Sequence, residues 1–411
     1  MSTTILGLLS ISSIVLVLVM RSRQASSLAL FSIFYIVPLL NIPQVPIDTR
    51  ALSALIVLSQ IPQLLRRGRE AILRPCMAPF VALVALLAIG TFSVSWTTSW
   101  AASVESLFGL LLLVVGGLVF ASLHGTRTIV VTMLHLFVFT GIASLVIAVA
   151  APEMGIENGR VRGIVENANG LGTIASLGAL LAAGWVQRPA KLIALFLFVA
   201  AASGSRGATL AALVGLALHL LLVRSGPRAY LSRGAMALSM LYFGSLLLAA
   251  WHFIRPDILV LRTNDSRTEV WLALVPIIES TWPLGSGLGT LETFSTNSYL
   301  KSAAEMGVLG LLGILAYVIA LAFSSRGSAA KICLLVTTII ATTFESWLVT
   351  GGSFYAFVVL LILSSTYEPG WREKGGPIIQ GAARSKNVDT AYRDGVDLEF
   401  SRMTKSGAKW I

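Results

Sequence analysis

Asp265-Ser-Arg-Thr-Glu-Val-Trp271 opens the most informative interval of this chain, which continues with Pro283-Leu-Gly-Ser-Gly-Leu-Gly289, Thr296-Asn-Ser-Tyr-Leu300 and Glu305-Met-Gly-Val-Leu-Gly310. It is the one long polar, glycine-rich interval in a sequence that otherwise alternates apolar blocks with arginine clusters. Binding and catalytic groups are disproportionately carried by such connecting segments, held in place by a rigid scaffold. The nature of the flanking blocks therefore determines what this interval can do.

The composition of the chain is that of a membrane protein. Of its 411 residues, 56% are hydrophobic and 12% charged, and the mean hydropathy is +0.84. Many blocks reach the ~20 apolar residues needed to cross a bilayer. The net charge of +11 does not indicate nucleic-acid binding, because the basic residues punctuate the apolar blocks instead of forming one patch. Cys76 and Cys333 lie in or beside apolar blocks and are too few for a disulfide framework or a metal site.

The apolar blocks predict an all-α, polytopic membrane protein with about 12–13 transmembrane helices within residues 1–366. The thirteen candidate spans cover residues 4–20, 26–42, 47–63, 76–95, 104–123, 128–151, 169–186, 190–203, 207–223, 234–254, 298–323, 331–347 and 352–366. Arg50 and Pro62 weaken the third span and the eighth is short, so the pattern also allows eleven or twelve. The first block is interpreted as a span and not a cleaved signal peptide, because no basic residue precedes it.

The basic residues predict the orientation of the spans. With Arg21 and Arg23 in the cytoplasm, 22 of the 30 basic residues fall on the cytoplasmic side, as the positive-inside rule requires. Residues 367–411 then form a flexible cytoplasmic tail of mixed charge. The eight basic residues left on the outward side are Arg50, Arg160, Arg162, Arg206, Arg255, Arg262, Arg267 and Lys301.

Two outward loops, over residues 152–169 and 255–297, carry most of the polar residues outside the tail. Within the second, residues 266–279 predict a short helix that lies flat on the membrane surface, with Ser266 and Glu269 forming a capping box. The glycine-rich sequence at 283–289 is typical of a turn and returns the chain to the next span.

Four separated motifs fall on this outward side. They are Arg160-Val-Arg-Gly163 with Glu166-Asn-Ala-Asn-Gly170, Ser203-Gly-Ser-Arg-Gly207, Ser266-Arg-Thr-Glu-Val-Trp271, and the turn at 283–289 with Thr296-Asn-Ser-Tyr-Leu300 and the Glu305 span. In this order and spacing they resemble the O-antigen ligase and Wzy-type polysaccharide polymerase superfamily of bacterial membrane glycosyltransferases, over roughly residues 160–315. The resemblance implies an inner-membrane protein with a cytoplasmic C-terminus, which joins glycans carried on undecaprenyl diphosphate at the periplasmic face.

The resemblance also implies roles for individual residues. An acceptor hydroxyl attacks the anomeric carbon of the donor, and the lipid diphosphate leaves. Arginine suits that leaving group because its guanidinium can hold two phosphate oxygens and stays charged. Arg206 and Arg267 are therefore expected to bind the diphosphate and stabilise the developing charge. Further substrate contacts are expected from Arg160, Arg162, Asn169, Thr296, Asn297 and Tyr299.

Each of the principal arginines also has a purely structural interpretation. Arg206, beside Gly207, could anchor the end of a span at the headgroups, and Arg267 could pair with Asp265 or Glu269. The sequence leaves both interpretations open.

Thr296 departs from the pattern of the family. Its ligases have a histidine at this position, and threonine cannot act as a general base near neutral pH. His252, Glu292 and Glu305 are candidate replacements, with Glu345 a weaker one. His252 can instead be an interfacial anchor, and Glu305 can form an i,i+4 pair with Lys301.

The resemblance, with Thr296 in place of the ligase histidine, thus implies polymerisation of undecaprenyl-diphosphate-linked repeat units into exopolysaccharide, capsule or O-antigen, without a metal or another cofactor. Ligase-type transfer to another acceptor is the alternative. Transport of the lipid-linked sugar ranks third, because the distinctive polar residues lie in one-sided loops and not at mid-membrane. The implied partners are membrane lipids, the lipid-linked glycan, a chain-length regulator and a flippase, and no nucleic acid.

Overall fold

A computed structural model of the protein describes residues 23–36, 49–73, 75–222, 266–291, 297–348 and 353–365. The predicted spans over 4–20 and 234–254, the predicted tail, and the candidates His252, Glu292 and Thr296 lie outside these residues. Most of the described chain is helical.

The α-helices of the described chain are α1 (Arg23–Ile36), α2 (Thr49–Ile72), α3 (Ala78–Ser93), α4 (Trp100–Leu123), α5 (Thr126–Ala150), α6 (Pro152–Gly155), α7 (Ala168–Trp185), α8 (Ala190–Ala202), α9 (Arg206–Leu222), α10 (Ser266–Thr281), α11 (Ser298–Ser324), α12 (Ala329–Phe344) and α13 (Phe354–Ser364). A 3-10 turn, Val94–Trp96, extends α3, and two short strands, β1 (Ile156–Glu157) and β2 (Arg160–Val161), follow α6.

Four of these helices are long and apolar enough to cross a membrane: α3 with its 3-10 extension, α4, α5 and α11. Shorter apolar helices, α8, α9, α12 and α13, pack among them, and the side chains of α13 are buried along its whole length. The predicted all-α class and its multi-pass membrane character are confirmed in this form.

Two helices differ from the predicted spans. The predicted third span ended at residue 63, but α2 continues through Pro62 to Ile72, with non-helical backbone only at Gly68. A proline removes one backbone hydrogen bond and tends to kink a helix, but tertiary packing can carry the helix past it. The span predicted over 298–323 is present as α11, which is interrupted at Gly307, where φ is 62° and ψ is −151°.

A β-hairpin, which the helical pattern did not predict, lies in the loop over residues 152–169. Strand β1 pairs antiparallel with β2, and Glu157 faces Arg160 across the turn. The two turn residues, Asn158 and Gly159, have positive φ angles of 50° and 73°. Asn-Gly is the dipeptide most favoured in two-residue hairpin turns, so the signal for this hairpin was present in the sequence.

Contacts between helix ends tie together one end of the bundle, formed by residues 75–77, 123–126, 184–190, 325–331 and 363–365. We call it the opposite end, because it lies away from the segments that carry the predicted outward motifs. Lys331, 8% exposed, donates from Nζ to the carbonyls of Leu363 and Ser365 at 3.1 and 2.6 Å. A cation at these carbonyls complements the negative end of α13. Arg67 donates to the Leu123 carbonyl at the C-terminus of α4 in the same way, at 2.9 Å.

His124, in the connection between α4 and α5, makes stability depend on pH. It is 4% exposed, and its Nε2 has no hydrogen-bond partner among the described residues. Burial first, and then the nearby Arg67 cation, lower its pKa from 6.5 to about 4. The unfolded chain therefore takes up this proton more readily than the folded one. The contribution of neutral His124 to the free energy of unfolding is fully present above pH 6.5. About 3 kcal/mol of that free energy is lost as the pH falls to 4.

We expect His124→Phe to weaken this acid sensitivity. A phenyl ring keeps the stacking on Phe120, where the ring centroids lie 5.9 Å apart, but it takes up no proton. Thermal unfolding of the purified wild type and the variant at pH 7.5 and 4.5 measures the effect. The fall in Tm on acidification should be smaller in the variant by several degrees. Equal falls in the two proteins would contradict this role for His124.

Candidate functional site

Three of the four predicted outward motifs meet at the other end of the bundle, which we call the motif end. It comprises residues 93–106, 151–172, 203–207, 282–291, 297–305, 342–348 and 353–355. The convergence follows from a chain of contacts that joins each of these segments to the next, from the hairpin to the α3–α4 corner.

Arg160 joins the first two motifs. Its Nε donates to the carbonyl of Ser203 at 2.9 Å, and its Nη2 donates to the side-chain oxygen of Asn169. Gly204, with φ of 60°, leaves room for the arginine stem, because a Cβ there would lie 3.1 Å from Arg160 Cγ. Asn169 stands in the first turn of α7, which Asn167 caps by accepting from the backbone of Gly170. Arg160 and Asn169 thus form a unit that fixes the hairpin against the α8–α9 turn.

Arg162 has a different partner from Arg160. Its Nε donates to the carbonyl of Met154 at 3.0 Å, within the same loop. The backbone N–H groups of Arg162 and Gly163 both donate to the carbonyl of Gly155. These contacts hold the hairpin against α6, and the guanidinium is half-buried.

Arg206 is exposed and is the first residue of α9. The positive end of the helix dipole adds to its charge, so this corner favours an anion. The two residues that flank Arg206 are closely packed. A Cβ at Gly207 would lie 3.1 Å from the Phe344 ring, and a Cβ at Gly172 in α7 would lie 2.5 Å from Ser205. The position of Arg206 is therefore fixed by α7 and by the end of α12.

The helix predicted over residues 266–279 is confirmed as α10, Ser266–Thr281. It packs against α11, where Leu274 forms a small apolar cluster with Leu291 and Ala304. Arg267 belongs to the first turn of α10, and its side chain lies outside the described part of the chain. Its expected contact with the diphosphate stays a prediction.

Asn297 caps α11 and joins it to α12. Its side-chain oxygen accepts from the backbone of Tyr299 and Leu300 at 2.9 and 3.0 Å, and its nitrogen donates to the carbonyl of Thr343 at 3.0 Å. The Tyr299 hydroxyl lies 3.3 Å from that of Thr342. Both residues, predicted as substrate contacts, therefore also hold the two helix ends together.

Glu305 is engaged by its neighbours. It is 1% exposed, and its Oε1 accepts the backbone N–H of Leu291 at 3.1 Å and lies 3.7 Å from Lys301 Nζ. The i,i+4 pair with Lys301 considered from the sequence is thus present. The backbone carbonyls of Ala304 and Glu305 accept from Ser286 and Gly287 at 2.9 and 2.8 Å. Glu305 therefore anchors the 283–291 turn on the break in α11.

The corner between α3 and α4 belongs to the same site, although the sequence did not single it out. Trp96 Nε1 donates to the Gly285 carbonyl at 3.0 Å, and Ser103 donates to the Leu288 carbonyl at 2.6 Å. Ser93 accepts from the Leu288 backbone at 3.1 Å. Three polar side chains thus clamp the glycine turn from the side opposite α11. The cluster Ser-Val-Ser-Trp-Thr-Thr-Ser-Trp at 93–100 was the only signal of this role.

Tyr355, at the start of α13, is a second feature that sequence reasoning missed. Its hydroxyl is buried without a hydrogen-bond partner among the described residues, and it points at the first turn of α7, where a Cβ on Gly170 would lie 2.7 Å away. The carboxylates of Glu345 and Glu166 both act on it electrostatically. A buried hydroxyl without a partner is uncommon in folded proteins and often marks a functional position.

Comparison with known proteins adds no identification. The chain matches no family model, and no curated protein matches it significantly. Among the described residues, no group of three or more His, Cys, Asp and Glu side chains is placed to hold a metal ion.

Proposed function

We propose that this protein is a membrane glycosyltransferase that polymerises undecaprenyl-diphosphate-linked repeat units into exopolysaccharide, capsule or O-antigen at the periplasmic face of the bacterial inner membrane. The observation that carries the proposal is the meeting of separate motifs at one end of the bundle. Arg160 donates to the carbonyl of Ser203, in the turn that precedes Arg206. Phe344 packs against Gly207 beside that turn, and Ser298 donates to the carbonyl of the next residue, Glu345.

The arrangement supports transfer from a diphosphate carrier. An exposed guanidinium at a helix N-terminus is suited to a diphosphate leaving group, since both the side chain and the helix dipole stabilise negative charge. Arg206 occupies that place, and Arg267 is proposed to meet the same group from α10. The apolar helices around the motif end would keep the lipid portion of the donor in the bilayer while the glycan stays outside it.

The polar residues also support catalysis over transport. Hydrogen bonds of Arg160, Asn297 and Glu305 fix the motif end in one arrangement. A preorganised charged site stabilises a transition state without reorganising during the reaction. Arg160, Asn297 and Glu305 are proposed to position the site, and transfer is proposed to need no metal.

Deletion of the gene in the source bacterium tests this function. We expect loss of long-chain polysaccharide and accumulation of carrier loaded with a single repeat unit on the periplasmic side, with recovery on expression of the wild-type chain. Accumulation of the loaded carrier on the cytoplasmic side would indicate a transporter. Accumulation of long polymer still attached to its carrier would indicate a ligase.

A further inference from the structure

The proposed transfer requires a group that receives the proton of the attacking hydroxyl. Glu305 is poorly suited to this, because its carboxylate is 1% exposed and holds the Leu291 N–H beside the Lys301 ammonium. The general base must instead be accessible to the acceptor hydroxyl and must lie near Arg206.

Glu345 meets both conditions. It directly follows α12, and its neighbour Phe344 packs on Gly207, next to Arg206. Its own carbonyl accepts from Ser298 Oγ at 2.8 Å, which fixes the backbone beside the cap of α11. Glu345 therefore stands at the junction of the Arg206 turn and the start of α11, and it is only half-buried.

A second observation at the same junction points to hydroxyl chemistry. The Tyr355 hydroxyl, in a residue that is 6% exposed, has no hydrogen-bond partner among the described residues. It lies within the electrostatic influence of Glu345. The Trp347 ring packs beside Tyr355 at 5.8 Å between centroids, and its Nε1 also has no partner in the described part of the chain. Two buried donors without described partners, one of them under the influence of the Glu345 charge, form a polar environment for a hydroxyl-bearing ligand.

We infer that Glu345 is the general base of the transfer and contacts the acceptor hydroxyl directly, an inference that rests on the proposed function. The acceptor oxygen forms a bond to the anomeric carbon as the bond from that carbon to the diphosphate oxygen breaks. The bonding electrons leave with the diphosphate, which Arg206 receives, and the hydroxyl proton passes to the Glu345 carboxylate.

The charged and titratable groups on the elements packed against α12 are compatible with this role. Helix α9 brings Arg206, the segment before α7 brings Glu166, α11 brings Lys301 and Glu305, and α13 brings Tyr355. Of these, Lys301 is paired with Glu305, and Arg206 is exposed.

Replacement of the carboxylate tests the inference. The full-length protein in lipid vesicles is supplied with the undecaprenyl-diphosphate-linked repeat unit isolated from the source bacterium, and glycan transfer is timed. Glu345→Gln should lower kcat at least 100-fold, the usual range for loss of a general base. Glu70→Gln is the matched control, since Glu70 is exposed in α2 and lies outside the motif end, and it should keep the wild-type rate. Unchanged Tm and elution volume show that both variants are folded.

Chemical rescue separates a base from a structural residue. In Glu345→Ala, added formate can take the place of the missing carboxylate, and we expect it to restore transfer at least tenfold, whereas it should not restore Arg206→Ala. A Glu345→Gln rate within threefold of wild type, or an inactive Glu345→Ala that formate does not restore, would overturn the inference while leaving the polymerase intact. Absence of product from the wild type would refute the proposed function and the base together.

Discussion

Arg206→Ala is expected to abolish long-chain product while the protein still folds and inserts. The residue is exposed at the start of α9, so truncation should change the free energy of unfolding by about 0.5 kcal/mol or less. The loss of the fixed charge that is proposed to stabilise the leaving diphosphate should lower kcat by about 100- to 1000-fold. Product length on a gel, together with the amount of protein in the membrane fraction, measures the two effects separately.

Two further variants show whether charge or geometry is responsible. Arg206→Lys keeps the charge but loses the planar pair of donors, and we expect it to recover only part of the activity. Arg188→Ala removes an exposed arginine from the opposite end and should leave product length unchanged. Arg267→Ala should behave like Arg206→Ala. Wild-type product from both Arg206→Ala and Arg267→Ala would refute a diphosphate-binding role for these residues.

Gly307→Ala is expected to be the most damaging single change in the scaffold of the site. Gly307 has φ of 62° and ψ of −151°, a conformation essentially restricted to glycine, and a Cβ there would overlap the Pro283 carbonyl oxygen. Relief of this overlap must move the turn away from α11, breaking the hydrogen bonds of Ser286 and Gly287 to the helix. We expect a loss of about 3 kcal/mol or more in the free energy of unfolding, together with loss of transfer.

Gly327→Ala is the matched control for backbone strain. Gly327 also has a positive φ, of 88°, but a Cβ there would meet no atom within 4 Å. Alanine at this position should therefore cost only about 1 kcal/mol, from strain alone. The comparison uses thermal unfolding of the two purified variants. Equal Tm values for Gly307→Ala and Gly327→Ala would show that the contact with Pro283 does not hold the turn.

Local features of the site were accessible from the sequence because they depend on residues a few positions apart. The i,i+4 relation of Lys301 and Glu305 predicted their pair, and the polar start of the 266–279 segment predicted α10. The apolar blocks likewise predicted helices close to the observed bounds. The Asn158-Gly159 dipeptide would have predicted the hairpin by the same kind of local reasoning.

Contacts between distant segments were not accessible in this way. Trp96 and Gly285 are 189 residues apart, and no local pattern specifies their hydrogen bond. The interruption of α11 at Gly307 depends on the turn that packs against it, since an isolated glycine in an apolar helix is more often a packing contact. Glu345 was only a weaker candidate in the sequence and Tyr355 was not singled out, because only the fold brings them near Arg206 and the start of α7.

Glycan transfer by the purified chain tests the central claim most directly. The protein is reconstituted in lipid vesicles with an undecaprenyl-diphosphate-linked repeat unit from the source bacterium, and the products are resolved on a gel. We expect a ladder whose bands differ by one repeat unit, given by the wild type and lost in Arg206→Ala. No change in glycan length, with the labelled repeat unit instead moving across the membrane of sealed vesicles, would contradict it.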